Sequence, residues 1–269
     1  MHLKFTAAMA AGLMATSMLA ACGETETQVA SEPEYSASSY GAAINDIARL
    51  DDKESDATRL PGELLAFAQI DRGDVVGDYI MGAGYVTRLL AMSVGPDGKV
   101  YAFQPDEFIA FRPEYATEQD AAVAPYADDE GNPRNVFPLR ASIAAPGWPE
   151  PLDTIITSTN LHDLFIAQMP EGTAQAAIAA LYDALKPGGS LIVIDHLAAD
   201  GSGAEAATAL HRMDADLALN ALTAAGFVLE QESEIYAQPD DPRDANVFDE
   251  SIAGQTDKFT WRLRKPAAE

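Results

Sequence analysis

Histidine and carboxylate side chains recur where predicted strands end. His162 and Asp163 follow one predicted strand, His196 ends the next, and His211 lies on the helix after that. An imidazole has an ordinary pKa of about 6.5, so a histidine can take a proton from an alcohol, a phenol or an amine near neutral pH. Imidazole nitrogens and carboxylate oxygens are also ligands for zinc and iron. These residue types therefore predict either general-base chemistry or a metal site.

The elements that must position these residues alternate between strand and helix character. Helical spacing of apolar residues predicts helices over 60–70, 85–94, 107–116 (interrupted by Pro113), 174–185 and 203–225. Strand patterns cover 74–80, 99–104, 135–139, 151–159, 190–196, 228–235 and 258–264, the last two alternating like edge strands. The sequence therefore predicts an α/β fold with a doubly wound, mostly parallel seven-stranded sheet and an antiparallel final strand. Ligands of such sheets bind beyond the carboxyl ends of the strands, where the histidines fall.

A glycine loop joins the first predicted strand to the helix after it, in "GDYIMGAGYVTRLL" (77–90). Asp78 lies near the end of the strand, and Gly82 and Gly84 precede the helix. Glycines let a ligand approach the backbone closely, and the amides of a helix N-terminus bind anionic groups. Ile80 is the last residue of the predicted strand, and a β-branched residue does not easily take a positive φ. We therefore expect either a reshaped turn or a narrower site.

Four segments in this order resemble the class I S-adenosylmethionine-dependent methyltransferases. They are the glycine loop, "KVYAFQP" (99–105), "NLHDL" (160–164) and "LKPGGSLIVIDH" (185–196). More narrowly, the chain is similar to a bacterial group of predicted, often exported methyltransferases, and the resemblance runs from Arg59 to Pro266. It implies a Rossmann-like fold, S-adenosylmethionine as cofactor and a small-molecule substrate.

The resemblance also assigns cofactor-binding positions. Asp78, Gly82 and Gly84 occupy the loop positions of the family. Gln104 stands where the family has a carboxylate that holds the two ribose hydroxyls, and Asp106 is a nearby substitute. An amide can accept and donate hydrogen bonds to hydroxyls, but it carries no charge.

Residues after the fourth strand face the transferring methyl group in this family. Asn160 and His162 are therefore expected to hold the acceptor and to take its proton, with Asp163 assigned to the same catalytic group. An alternative role for Asp163 is to cap the short helix that follows. Methyl transfer mainly needs alignment of the reacting atoms, plus a base where the acceptor is an alcohol or an amine.

Substrate contacts are assigned to His196, His211 and Arg212, although the last two could equally form a salt-bridged helix face. Segment 236–257 is long for a connection between strands, and such loops often bind ligands or cover sites. Arg243 and Asn246 on this segment are expected to contact the substrate. The alternative is a solvated surface excursion.

The amino-terminal residues predict export. Residues 1–21 have a basic start, a short apolar run and small residues, as in a signal peptide. The segment "LAAC" (19–22) resembles a bacterial lipobox, and Cys22 is the only cysteine of the chain, so we expect its lipidation and no disulfide. Residues 22–45 read as a flexible tether and 46–269 as the methyltransferase-like domain. The expected location is the envelope of a Gram-negative bacterium, on the periplasmic side and at the outer membrane.

The net charge of the chain limits its partners, and three hypotheses for its function remain. The net charge of −25, from 42 acidic and 17 basic residues, argues against a nucleic acid partner. The leading hypothesis is an envelope-tethered methyltransferase without a metal. A second is an inactive, lipid-anchored protein of the same fold that binds a small ligand. A third is a metal-dependent hydrolase with His162, His196, Asp163 and His211 as ligands, although no HxH or HxxxH spacing supports it.

Overall fold

A seven-stranded, mostly parallel sheet organises the protein in the computed structural model, which describes residues 35–267. The strand order is β3-β2-β1-β4-β5-β7-β6, and β7 runs antiparallel to both of its neighbours. The predicted α/β fold is therefore confirmed. The strands are β1 (Val75–Tyr79), β2 (Lys99–Pro105), β3 (Val136–Ala141), β4 (Leu152–Ser158), β5 (Leu185–His196), β6 (Val228–Ser233) and β7 (Lys258–Arg264).

The prediction that 258–264 forms an edge strand is wrong. Strand β7 lies between β5 and β6, and its five central residues are buried. Its alternating sequence contains Thr260 and Arg262, which are polar yet lie on a covered face. Arg262 donates to the carbonyl of Phe67 and to Glu230, so its charge is neutralised where it is buried.

Helices cover both faces of the sheet. Residues 203–225, predicted as one helix, form two, because His211 takes a left-handed φ of 53° and Asp214 caps the second helix by accepting from the amide of Leu217 at 3.0 Å. The helices are α1 (Gly41–Ile44), α2 (Asp56–Arg59), α3 (Pro61–Ala68), α4 (Tyr85–Val94), α5 (Asp106–Phe111), α6 (Glu114–Val123), α7 (Thr173–Ala184), α8 (Gly203–Leu210) and α9 (Ala215–Ala224). Short 3-10 helices lie at Ala37–Tyr40, Ile47–Ser55, Ala124–Tyr126 and His162–Phe165.

Alternate residues of each strand enter one of two hydrophobic clusters. The first cluster contains Val76 and Met81 with side chains of α3 and α4, and the second contains Tyr79 and Ile80 with side chains of α7 and α9. Successive side chains of a strand point to opposite faces, so the two clusters lie on the two faces of the sheet. The carboxyl ends of β1, β2, β4 and β5 are thereby fixed from both sides.

The packed part of the chain begins earlier than predicted. Residues 37–44, expected within the tether, form helical turns, and Tyr40 and Ala43 are buried in the first cluster. Tyr40 also donates to the carbonyl of Ile70 at 2.9 Å, which ties these turns to the domain. The predicted signal peptide and Cys22 lie outside the described residues. Within 35–267, no helix has the length and apolar character needed to cross a membrane.

Candidate active site

The chain leaves β1 at Ile80, which adopts a left-handed φ of 62°. The expectation that this β-branched residue avoids a positive φ is therefore wrong. Such a conformation costs a residue with a side chain about 1–2 kcal/mol. The side chain of Ile80 is buried in the second hydrophobic cluster, and this packing offsets the strain.

The two glycines of the loop have different surroundings. A Cβ built at Gly82, which has a φ of 55°, meets no atom of the described chain within 4 Å. A Cβ at Gly84 would lie 2.5 Å from the Cβ of Ala122 and 3.2 Å from the Cε of Met81. Gly84 therefore serves close packing, whereas Gly82 borders open space in front of α4.

Asp78 braces the loop from inside the sheet. It is buried, and its carboxylate accepts from the hydroxyl of Thr87 in the first turn of α4 at 2.5 Å. Burial raises the pKa of Asp78 to about 6, and the bond from Thr87 lowers it only in part. The carboxylate joins β1 to α4, and this is how it can influence a ligand at the helix N-terminus.

Gln104 is fully buried at the carboxyl end of β2. Neither its carbonyl oxygen nor its amide nitrogen has a hydrogen-bond partner among residues 35–267. An unpaired buried amide is costly, so a partner outside the chain is expected. Asp106, the predicted substitute, is exposed at the start of α5.

A second strained residue lies at the end of β4. Thr159 has a φ of 61°, and it is β-branched like Ile80. The next residue, Asn160, donates to the carbonyl of Ile80 at 3.0 Å and to that of Ser158 at 2.7 Å. Strained backbone of this kind clusters at functional sites, where the surrounding structure holds it. These bonds occupy the amide hydrogens of Asn160, which was predicted to hold the acceptor, and they link the ends of β1 and β4.

A cavity of about 300 Å³ opens at the carboxyl ends of β4 and β5. This volume is at the lower end of the range for small-molecule sites. Its polar lining includes the positively charged side chains of Arg59 and Lys258, and neither forms a salt bridge within residues 35–267. The lining residues are Thr58, Arg59, Leu64, Ser158, Thr159, Ile194, His196, Tyr236, Val247, Gly254, Thr256 and Lys258.

His196 is the predicted substrate-binding residue that the structure brings to this cavity. Its Nδ1 lies 2.8 Å from the hydroxyl of Thr256, which fixes the ring. Burial lowers the pKa of His196 to about 4, so the ring is neutral at pH 7. A neutral imidazole with one nitrogen held by Thr256 keeps the other for a ligand.

His162 does not suit the predicted role of general base. Its Nδ1 lies 2.8 Å from Oδ1 of the buried Asp195, and its backbone amide donates to Oδ2 of the same carboxylate at 2.7 Å. Burial opposes the charged ring, but the negative charge of Asp195 outweighs this and raises the pKa of His162. A raised pKa favours the ring with a proton on both nitrogens, which leaves less of the neutral form that a general base requires.

Asp163 and His211 lie beside the free edge of the His162 ring. His162 Nε2 is 3.6 Å from Asp163 Oδ1, and the His162 and His211 rings are 5.4 Å apart and perpendicular. One ligand atom from each of these three residues lies within 4.8 Å of the others. His196, the fourth ligand of the metal hypothesis, is not part of this group, and its ring is 6.3 Å from that of His162. Burial raises the pKa of Asp163 to about 6.

Arg212 was predicted to bind substrate, and the structure instead encloses it. The side chain is fully buried and forms an ion pair with Asp241 at 2.8 Å. It also donates to the carbonyls of Leu197 and Ala245. With its donors committed to the chain, Arg212 holds segment 236–257 against the end of β5.

Segment 236–257 borders the cavity, but through residues other than those predicted. Tyr236, Val247, Gly254 and Thr256 contribute to the lining. Arg243 is instead paired with Asp257 at 2.7 Å, and the amide of Asn246 donates to the carbonyl of Ala209 at 3.0 Å. The polar side chains predicted to meet a substrate therefore fix the loop.

Comparisons with solved structures bear on the fold. A [4+2]-cyclase, SpnF, is 17% identical with a TM-score of 0.52 and covers 79% of this chain and 82% of its own. A protein from Bacillus halodurans whose name describes a methyltransferase is 18% identical with a TM-score of 0.51. The match covers 77% of this chain and 99% of that protein. An arsenic(III) S-adenosylmethionine methyltransferase from Chlamydomonas reinhardtii is 15% identical with a TM-score of 0.50, covering 74% and 65%. No protein-family model and no curated protein matches the chain.

The chain has the fold of the class I methyltransferases. At these identities the likeness establishes the architecture, and the chemistry has to be argued from the site. Sequence reasoning missed Arg59 and Lys258 in the cavity. Lys258 begins β7, and since β7 is antiparallel its first residue lies at the carboxyl edge of the other strands. The antiparallel direction predicted for the final strand was the feature from which Lys258 could have been assigned to this edge.

Proposed function

We propose that this protein is an S-adenosylmethionine-dependent methyltransferase that acts on a small molecule. The observation that carries the proposal is the buried, unpartnered amide of Gln104 at the end of β2. In proteins of this fold the end of the second strand meets the cofactor ribose, and an amide can pair with two hydroxyls. The likeness in fold supports the same activity.

The residues around Gln104 fit this cofactor. Gly82 borders open space just before α4, and the first amides of a helix have no intrahelical partners. Such amides suit the carboxylate of a methionine moiety. When bound, the cofactor supplies an electrophilic methyl group on a sulfonium. The chain contributes binding and alignment, which is most of what an in-line displacement requires.

We place the methyl acceptor in the cavity at the ends of β4 and β5. Arg59 and Lys258 give the cavity positive charge in a chain whose net charge is −25. These cations favour an acceptor that carries an anionic group, because ion pairs in a partly enclosed site are less screened than at the surface. The neutral ring of His196 has its Nε2 available for one hydrogen bond with a hydroxyl or an amine of the acceptor.

The proposal includes a location. Cys22 and the apolar run before it support a protein that is exported and lipid-anchored on the periplasmic side of a Gram-negative envelope, at the outer membrane. The residues between Cys22 and Tyr35 would then separate the domain from the membrane surface.

A second candidate function is ligand binding without turnover. Two observations favour it: Gln104 lacks the charge of the usual carboxylate, and no residue of the glycine loop lines the cavity. In this case the fold would capture a nucleoside-like or other small molecule and release it unchanged.

Calorimetric titration of the purified chain with S-adenosylmethionine and S-adenosylhomocysteine tests the cofactor. We expect binding tighter than about 1 mM, which corresponds to roughly 4 kcal/mol. The variant Gly82→Ala places a methyl group in the open space and should abolish binding. Gly131→Ala is the matched control, because Gly131 also has a positive φ and open surroundings but lies in a surface turn at residues 128–134.

The outcomes separate the two candidates. Equal cofactor binding by both glycine variants, or no binding by the wild-type chain, would refute the cofactor assignment. Turnover is tested by mass spectrometry of S-adenosylhomocysteine formed with a panel of small carboxylates, phosphates and phenols. Cofactor binding without any product from this panel would favour the binding protein.

A further inference from the structure

We propose that His162, Asp163 and His211 form a binding site for a divalent first-row transition metal ion such as Zn²⁺, with one coordination position left open. The site lies beside the proposed acceptor cavity and does not depend on the proposed methyltransferase activity. It also differs from the hydrolase hypothesis, since His196 is excluded and no hydrolysis is inferred.

The separations of the ligand atoms suit a metal of this size. Zinc binds nitrogen and carboxylate oxygen at about 2.0–2.2 Å, so two ligands in a tetrahedral site are roughly 3.4 Å apart. His162 Nε2 and Asp163 Oδ1 are 3.6 Å apart, close to that value without any movement. The ligand atom of His211 lies within 4.8 Å of both, so a shift of about 1 Å by the His211 ring would complete the set.

Asp195 prepares His162 for this role. Metal-binding histidines almost always donate their second ring nitrogen to a carboxylate or a carbonyl, which orients the ring. His162 Nδ1 lies 2.8 Å from Asp195 Oδ1, and the backbone amide of His162 holds the other carboxylate oxygen. The carboxylate is completely buried, so the ring is fixed with Nε2 directed toward Asp163 and His211.

The charges of the cluster also match a dication. Asp163 and Asp195 supply two negative charges, and metal binding at Nε2 of His162 releases the proton on that nitrogen to solvent. The bound ion and the two carboxylates then sum to zero in a largely buried place. A water molecule or an anion from solution can occupy the remaining coordination position.

His211 can reach the ion and leaves it accessible. It lies directly after α8, in a left-handed conformation, and its side chain is partly exposed. Its outer face contacts the exposed ring of Phe248, with the centroids 4.9 Å apart. Because His162 and Asp163 are held by the 3-10 helix and His211 lies at a helix end, His211 is the ligand with freedom to close on the metal.

The test is titration of the tag-free, metal-stripped chain with Zn²⁺ in millimolar Mg²⁺, which saturates the acidic surface, followed by Co²⁺ substitution. We expect one tight equivalent of Zn²⁺ and a tetrahedral Co²⁺ absorption spectrum. His211→Ala should weaken Zn²⁺ binding at least 100-fold, and Asp195→Asn about 10- to 100-fold. His196→Ala is the matched control and should bind Zn²⁺ like the wild type, because its ring lies 6.3 Å from that of His162.

Three results would overturn the site. The first is the absence of stoichiometric Zn²⁺ binding in the presence of Mg²⁺, and the second is an unchanged Zn²⁺ affinity of His211→Ala. The third is a loss of Zn²⁺ affinity in His196→Ala that is as large as the loss in His211→Ala. Circular dichroism of each variant shows whether it is folded. If Asp195→Asn does not fold, two other variants still test the metal site. His211→Ala changes a partly exposed residue, and Asp163→Asn keeps the shape of the side chain but removes the charge of the ligand.

Discussion

Replacing Asp78 with asparagine isolates the cost of keeping a carboxyl group inside the sheet. Asp78 is buried in β1, and its partner Thr87 can donate to an amide oxygen as well as to a carboxylate. Asparagine has nearly the same shape, so the variant should keep this contact and the geometry of the glycine loop. What changes is the ability to ionise.

The structure gives both the sign and the size of the effect. Burial raises the pKa of Asp78 from 3.8 to about 6 in the folded protein. Between these values the unfolded chain loses its proton while the folded chain keeps it, so the wild type loses stability as pH rises through this window. Two pKa units correspond to about 3 kcal/mol. Below pH 4 the two proteins should be equally stable, and above pH 7 Asp78→Asn should be more stable by about 3 kcal/mol.

Urea denaturation of both proteins from pH 3.5 to 8 measures this difference directly. Subtracting the free energies of unfolding of the two proteins at each pH cancels the contribution of the other titrating carboxyl groups. One of these is Asp74, whose pKa burial also raises to about 6. A difference that is independent of pH would show that Asp78 has an ordinary pKa and would refute the reasoning.

Three further changes test the packing around the site by urea denaturation. Gly84→Ala should cost about 3 kcal/mol, since its Cβ would lie 2.5 Å from that of Ala122 and its φ is positive; a cost below about 1 kcal/mol would contradict this. Asp241→Ala should cost about 3–5 kcal/mol, because it leaves the charge of Arg212 buried and unpaired, whereas replacing both with leucine should cost less. Thr159→Gly should stabilise the fold by roughly 1 kcal/mol by relieving a φ of 61°, and a loss of stability would show that the strain is absent.

Periodicity sufficed for the central elements of the fold. Helix α4 spans Tyr85–Val94, the predicted range, because an apolar stripe is bounded by Gly84 and Gly95, and both glycines have a positive φ. The strand before it was also predicted, since Val75, Val76 and Tyr79 lie between turn residues and a short, largely apolar segment is typical of a buried parallel strand. These signals are local, and the structure retains them.

Elements decided by distant contacts could not be predicted in this way. The turns at 37–44 have little apolar character, and they form because Tyr40 bonds to the carbonyl of Ile70 and packs against the first cluster. Strand β7 resembles an edge strand because Arg262 interrupts its apolar pattern. Its burial depends on Glu230 from β6, a partner that the local pattern does not reveal.

The same distinction holds at the site. The rule that ligands bind beyond the carboxyl ends of parallel strands selected the edge at which the structure has a cavity, and His196 lines that cavity. The sequence gives no sign that Arg212, Arg243 and Asn246 are bonded within the chain, because their partners are a carboxylate or a carbonyl from another part of the fold. Polar residues near a site are thus predicted more reliably than the atoms they contact.

Asp195 connects the two proposals, and it also keeps them from competing. Its carboxylate accepts from the amide of His196 at 2.8 Å and holds both the amide and the Nδ1 of His162. Successive residues of β5 point to opposite faces, so the carboxylate lies on the face of His162 while the His196 ring enters the cavity. His162 Nε2 can bind a proton or a metal ion, but not both at once. The raised pKa of His162 reduces the neutral form that a base requires, while the bond to Asp195 orients the ring with its Nε2 near Asp163. The neutral ring of His196 is left to meet the acceptor.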